Sequence, residues 1–186
     1  GNFIMKMSPE NSALNINWYE FEYVSHEMQY NLVPSKIEAE DYFVQYGVEI
    51  ESCSDDGGGK NISYIDSGDY MKYLISISKP GYYTMSLRTA GYESGEVRAT
   101  ISNDTSPDEL LQTFSTPQTG GWQTWQTVEE NIVLTPGNYT LTLNIIKGGF
   151  NFNWIKFEFN DGEGFNVPGK IQAEDFWKQS GLSLEN

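Results

Sequence analysis

The sequence is short of the residues on which redox and nucleophilic chemistry most often rests, with one cysteine, Cys53, and one histidine, His26, in 186 residues. A lone cysteine excludes a disulfide framework within the chain. With no histidine near it in sequence, Cys53 reads as a small packed hydrophobe, not a metal ligand or nucleophile. Positive charge is also scarce: 11 Lys and Arg stand against 26 Asp and Glu, a formal net charge of −15. That field repels phosphate backbones and anionic headgroups, which excludes nucleic acid and anionic membranes as partners. It suits an uncharged ligand or a bound cation, and it keeps a protein soluble. No run is long and apolar enough to span a bilayer. The start, Gly1-Asn2-Phe3, shows neither an initiator Met nor a signal peptide, and the chain is expected to be a section of a longer one.

Aromatic residues, by contrast, are plentiful: 12 Tyr, 10 Phe and 5 Trp make up 15% of the chain. They fit a strand-rich fold with rings to spare for a surface site. An internal repeat organises them. Leu14-Asn15-Ile16-Asn17-Trp18-Tyr19-Glu20-Phe21 matches Phe150-Asn151-Phe152-Asn153-Trp154-Ile155-Lys156-Phe157, and Val33-Pro34-Ser35-Lys36-Ile37-Glu38-Ala39-Glu40-Asp41 matches Val167-Pro168-Gly169-Lys170-Ile171-Gln172-Ala173-Glu174-Asp175. The period of roughly 135 residues is far too long for a solenoid and right for tandem domains. One complete unit is therefore expected over residues 33–160. Residues 1–24 read as the last strands of a preceding copy and residues 167–186 as the first strand of a following one. Residues 25–32 and 161–166 read as polar connectors.

Within the complete unit, period-2 segments alternate with turn clusters. Strands are predicted at Ile62–Ile65, Tyr70–Ile77, Tyr83–Thr89, Val97–Ile101, Gln126–Leu134, Tyr139–Ile145 and Phe152–Phe159. One helical turn at Asp108–Leu111 is the sole helix signal. The pattern predicts an all-β, antiparallel sandwich.

Four segments together resemble the family 6 carbohydrate-binding modules: Ile37-Glu38-Ala39-Glu40-Asp41-Tyr42, the stretch Gly57-Gly58-Gly59-Lys60-Asn61-Ile62-Ser63-Tyr64-Ile65-Asp66-Ser67-Gly68-Asp69-Tyr70, Gly120-Gly121-Trp122-Gln123-Thr124-Trp125, and Gly149-Phe150-Asn151-Phe152-Asn153-Trp154-Ile155. The resemblance covers the whole central unit in the family's order and spacing. It implies a jelly-roll sandwich, non-catalytic polysaccharide binding, and a structural calcium ion. Modules of this kind are commonly appended to secreted glycan hydrolases.

A pyranose has apolar C–H faces and a polar rim of hydroxyls, so its site needs flat aromatic surface and directional hydrogen-bond partners. The resemblance implies Tyr64 and Trp122 as a pair of rings sandwiching one sugar. It implies Asn151 as a partner using both its carbonyl and its amide, and Glu51 as an acceptor for a hydroxyl pair. Competing readings place Tyr64 in the core of its strand and Glu51 in solvent. Trp125 and Trp154 read as core, with Phe152 and Phe157 as inward companions, while Phe150 and Tyr92 are candidates for contacts beyond the central sugar. Asn15 and Glu185 hold the positions of Asn151 and Glu51 in the flanking copies.

Glu38 and Glu40 alternate along the chain, so strand geometry puts both carboxylates on one face. Two such carboxylates repel unless a cation lies between them, and oxygen ligands suit calcium. The resemblance adds the backbone carbonyl of Lys60 as a ligand; Asn153, Glu158 and Asn160 are equal candidates for another. Catalysis is not expected, because a glycosidase needs two carboxylates flanking its cleft and no acidic pair falls among the aromatic cleft residues. The remaining rival is a structural or adhesive repeat of a cell-surface protein.

Overall fold

β-Branched and aromatic residues at alternate positions, cut by Gly, Pro, Asp and Asn, form two stacked sheets in this chain. The computed structural model describes Trp18 and residues 28–160. Apart from Trp18, the segments read as parts of neighbouring copies, 1–24 and 167–186, lie outside the described residues, as does the connector 161–166. The described strands are β1 (Asn31–Val33), β2 (Lys36–Glu38), β3 (Val44–Tyr46), β4 (Glu49–Ser52), β5 (Lys60–Ser63), β6 (Tyr70–Ile77), β7 (Gly81–Ala90), β8 (Gly95–Asn103), β9 (Ser106–Thr116), β10 (Gln126–Leu134), β11 (Gly137–Lys147) and β12 (Asn151–Phe159).

One sheet runs β1-β6-β11-β8-β9, with β3 sharing the outer edge of β6; the other runs β10-β7-β12-β5-β4, with β2 also on β12. All pairings are antiparallel except β1 with β6. The result is a jelly-roll β-sandwich. β1 begins at Asn31, two residues inside the stretch read as a connector.

The core lies between the sheets, where Met71, Tyr73, Ile75, Leu141, Leu143, Val97 and Ala99 of one face Tyr83, Met85, Leu87, Ile155 and Phe157 of the other. Tyr73 and Tyr83 are the polar exceptions; the Tyr73 hydroxyl donates to the Ala39 carbonyl at 2.7 Å and the Tyr83 hydroxyl to the Lys79 carbonyl at 2.9 Å. The expected helical turn at Asp108–Leu111 is instead part of β9, which pairs along β8 through two irregularities in register. Cross-strand pairing outweighs four residues of weak helical preference.

At one end of the sandwich, four connections converge: β5–β6, β7–β8, β9–β10 and β11–β12. Gly149 N donates to Ile65 O (3.1 Å), and Thr119 N and Gly120 N both donate to Gly91 O (2.9 and 3.1 Å). Gly148 is squeezed against the β5–β6 connection: a Cβ there would stand 2.2 Å from Ile65 O and 2.7 Å from Asp66 Cα. Another link clamps the loop between β4 and β5. Asp55 receives a bidentate pair from Arg88 of β7, Nε to Oδ2 at 2.8 Å and Nη2 to Oδ1 at 2.7 Å, and a third bond from Asn153 Nδ2 at 2.8 Å. The guanidinium bonds, above all, hold the Asp55 carboxyl below its usual range.

Gly148→Ala is expected to cost about 1–3 kcal/mol, because backbone on the facing loop has to give way; urea denaturation measures it. Asp55→Asn is expected to cost about 1–3 kcal/mol near neutrality. A lowered folded-state pKa contributes stability that is present above the unfolded value of about 3.9 and lost as pH falls through the folded value. The urea midpoints of wild type and Asp55→Asn should therefore converge as pH drops below about 4.

Candidate functional site

Tyr64 leaves β5 in the left-handed region, at φ 53°. The three residues before it, Asn61, Ile62 and Ser63, are all buried. A bulky side chain rarely adopts this backbone, and the strain of order 1–3 kcal/mol is typical of sites where geometry serves function. The reversal ends the strand at Ser63 and turns the phenol outward, leaving Tyr64 70% exposed. The strand predicted through Ile65 therefore stops two residues early, and Tyr64 is not a core ring.

Trp122 sits on the β9–β10 loop after Gly120, which is also in the left-handed region (φ 89°), and is 46% exposed. Its ring meets the edge of Tyr92 with centroids 5.5 Å apart and planes at 80°. Tyr64 and Trp122 line one cleft of about 350 Å³ together with Ser63, Ile65, Asp66, Gly149 and Asn151. Tyr92 thus stands beside the Trp122 wall. Phe150 does not contribute there; it is buried, and a Cβ on Gly95 would fall 2.4 Å from its ring.

Asn151 opens β12 at the bottom of the cleft and is only 3% exposed. Both of its amide hydrogens are engaged, with Nδ2 donating to Glu51 Oε1 at 2.7 Å and to Trp122 O at 2.8 Å. Its carbonyl oxygen accepts no hydrogen bond among the described residues. Glu51, in the middle of β4, is half-buried beside Asn151 and is not among the residues that line the cleft. Its Oε1 also accepts from Asn61 Nδ2 (3.1 Å) and Gln123 Nε2 (3.0 Å).

Nothing in the sequence marks Asn61 and Gln123 as partners of Glu51. Their signal was position alone: Asn61 lies in the Gly-rich approach to Tyr64, and Gln123 directly follows Trp122. Two other aromatic assignments change. Trp125 is half-buried, with its indole nitrogen enclosed and unpaired among the described residues. Trp154 is also half-buried, on the opposite side of β12 from Phe152, Ile155 and Phe157, for a reason rooted in the ladder. Phe152 pairs with Thr89 but Trp154 pairs with Arg88, so Asn153 is an inserted residue, a β-bulge that reverses the alternation.

At the other candidate site, β2 ends at Glu38 and Glu40 follows in a turn, yet alternation persists: Ile37 and Ala39 are buried while Glu38 and Glu40 are partly exposed. Glu38 pairs with Lys36 at 2.6 Å. Glu40 Oε2 is buried with no hydrogen-bond partner among the described residues. Burial chiefly, then the charges of Glu38 and Asp41, push the Glu40 carboxyl above its ordinary range. Burial and then the charges of Asp55, Glu40 and Glu38 push the Cys53 thiol up, which sets both glutamates near the loop leading into Lys60. Lys60 begins β5 opposite Ser52. An orphaned carboxylate oxygen beside a second carboxylate is a donor set that suits a hard cation. Among the described residues no cluster of three or more His, Cys, Asp and Glu surrounds such a position, so backbone or amide oxygens would have to complete it.

A family model described as carbohydrate binding module (family 6) matches residues 38–159. The alpha subunit of clotting factor G from Tachypleus tridentatus is 32% identical over 170 residues, 85% of this chain. The chain spans 25% of that protein's length, about a quarter. Among solved structures, the C-terminal family 6 module of LamC, a marine laminarinase from Zobellia galactanivorans, is 36% identical with a TM-score of 0.61, over 66% of this chain and 97% of that one. The module from Cellvibrio mixtus lichenase 5A, solved with cellotriose, is 34% identical with a TM-score of 0.62, over 69% of this chain and 98% of that one. The chain belongs to family 6 of the carbohydrate-binding modules, whose function is non-catalytic carbohydrate binding.

Proposed function

We propose that the cleft between Tyr64 and Trp122 holds one pyranose of a β-linked polysaccharide. The observation that carries this reading is the pair of exposed rings, one thrown out by a left-handed backbone, above a buried asparagine. The ring faces would lie against Tyr64 and Trp122, and a hydroxyl would donate to Asn151 Oδ1. Glu51 Oε2, unpartnered among the described residues, would accept from the same sugar or its neighbour. The laminarinase and lichenase modules to which this chain is similar support a β-linked glucan such as laminarin; xylan and agar, which also contain β-linked pyranose rings, are the alternatives.

The wider role follows from this. The chain would be the polysaccharide-targeting part of a secreted or cell-surface protein with a hydrolase domain elsewhere. A single shallow site of this kind binds at roughly −4 to −8 kcal/mol, millimolar to micromolar. Tandem copies, of which Asn15 and Glu185 would be the corresponding ligand-facing residues, would raise avidity along a polymer. Calcium would be held by Glu38, Glu40 and the Lys60 carbonyl, relieving the repulsion at the orphaned Glu40 oxygen and pinning β2 to its neighbours.

Trp122→Ala is expected to weaken binding by at least about thirty-fold, about 2 kcal/mol, while melting stays near the wild-type value. Affinity electrophoresis in laminarin, lichenan, xylan and agar gels measures the first and calorimetry the second. Retardation by none of these gels would favour the adhesive-repeat reading, and a large melting shift would mean that Trp122 is structural. Chelation is expected to lower the melting temperature by at least about 3 °C, with calcium alone restoring it. Laminarin affinity measured well below melting should fall less, and melting unchanged in chelator would remove the metal.

A further inference from the structure

We propose that Gln123 is the positioning residue of the cleft, holding the Trp122 loop and, through Glu51, the orientation of Asn151; the proposal rests on the cleft being the glycan site. One side-chain amide ties three segments together. Its Nε2 donates to Glu51 Oε1 on β4 at 3.0 Å and to Asn61 Oδ1 on β5 at 3.1 Å. Its Oε1 accepts from Ser54 N at 2.8 Å and Ser54 Oγ at 3.1 Å, in the loop that Asp55 anchors to Arg88.

The neighbouring residue makes this consequential. Trp122 O accepts from the same Asn151 amide that bonds Glu51 Oε1. Gln123, Glu51, Asn151 and the Trp122 backbone therefore form a closed circuit, with the stacking ring at one corner and the cleft floor at the opposite one. Three N–H groups converge on Glu51 Oε1, from Asn61, Gln123 and Asn151. This fixes the carboxylate and, by return, the side of Asn151 that faces the cleft. An amide donates to Glu51 from its nitrogen and accepts from Ser54 at its oxygen without carrying charge.

A carboxylate at position 123 distinguishes positioning from mere structural support. In Gln123→Glu, two carboxyl groups at hydrogen-bond distance share a proton at low pH and repel once both ionise. Residues 117–125 contain no ionisable side chain. The nearby ionisable groups on adjoining elements are Glu49 on β4, Lys60 on β5, Cys53, Asp55 and Asp56 in the β4–β5 loop, Arg88 on β7, Tyr64 and Asp66 at the cleft, and Tyr92 and Glu93 in the β7–β8 loop; all are common to wild type and variant.

The test uses the full chain and two readouts. The Trp122 emission, isolated by subtracting a Trp122→Phe background, is followed without ligand from pH 5 to 8. Laminarin affinity is measured at both ends of that range. For Gln123→Glu, the emission is expected to shift with pH while wild type stays flat. Its affinity should fall about tenfold below wild type at pH 8 and return to within about threefold at pH 5. Gln123→Ala should lose about tenfold at both pH values with little change in melting. Emission and affinity of Gln123→Glu that track wild type at every pH would overturn the proposal. If wild type itself binds none of laminarin, lichenan, xylan and agar, the glycan reading fails, and the emission then decides whether Gln123 holds the Trp122 loop at all.

Discussion

Asn153 has no partner on β7: the ladder passes from Phe152 opposite Thr89 directly to Trp154 opposite Arg88. That inserted residue sets the geometry of the site end. After it, Ile155 and Phe157 point into the core opposite Leu87 and Met85, and Trp154 and Lys156 point away. Before it, Phe152 points inward and Asn151 reaches the cleft floor. The inserted Asn153 itself turns to Asp55, and its backbone carbonyl accepts from Ala39 N at 2.9 Å. One residue thus connects β12 to the candidate cation region on one side and to the β4–β5 loop on the other. Bulges commonly re-aim side chains in this way, and here the re-aimed residues meet the cleft end of the sandwich and the candidate cation region.

The floor that results is unusually polar for its depth. Asn61, Ser63, Asn151 and Asn153 are all buried. Such groups are tolerable only when hydrogen-bonded, and each has a partner within the protein. A satisfied network in a low-dielectric setting is stiff, so the rings above it are held on a rigid base. Stiffness matters because ordering side chains upon binding costs about 0.5–1.5 kcal/mol for each one immobilised. The left-handed Tyr64 belongs to the same economy of motion: its strain is borne in the free protein and the ring is already outside the strand.

Much of this was legible in the sequence, and the failures have definite causes. The long strands β6, β7, β8, β10, β11 and β12 were visible because their alternation is regular and Gly or Pro marks their ends. β9 was missed because its first half is mostly exposed and polar, so pairing with β8 and not its own pattern makes it a strand. Trp154 reads from the sequence as core alongside Phe152, and that inference broke on a bulge that no residue type announces. Cleft membership of Tyr64, Trp122 and Asn151 came from motif resemblance. The supporting Asn61 and Gln123 did not, because a hydrogen bond between residues 62 positions apart leaves no local trace.

The electrostatic character of the chain and the chemistry of its cleft converge on one kind of ligand. The amide hydrogens of Asn151 and the hydroxyl of Ser63 are already donated within the protein. What remains toward the cleft is the Asn151 carbonyl, the Asp66 carboxylate at its edge, the Tyr64 hydroxyl, the Trp122 indole N–H and, beside Asn151, the second oxygen of Glu51. Acceptors outnumber donors among these groups, and a hydroxyl-bearing ligand, which both donates and accepts, complements them. Neutral hydroxyl-bearing rings do so at every position around their rim. Anionic sugars would meet acceptors with no Lys or Arg among the lining residues, within a protein whose formal net charge is −15. The aromatic walls then supply surface for ring faces without selecting charge. If the cleft takes a sugar as proposed, discrimination among neutral glycans would fall to where the Trp122 and Tyr92 loops let the chain continue past the central ring.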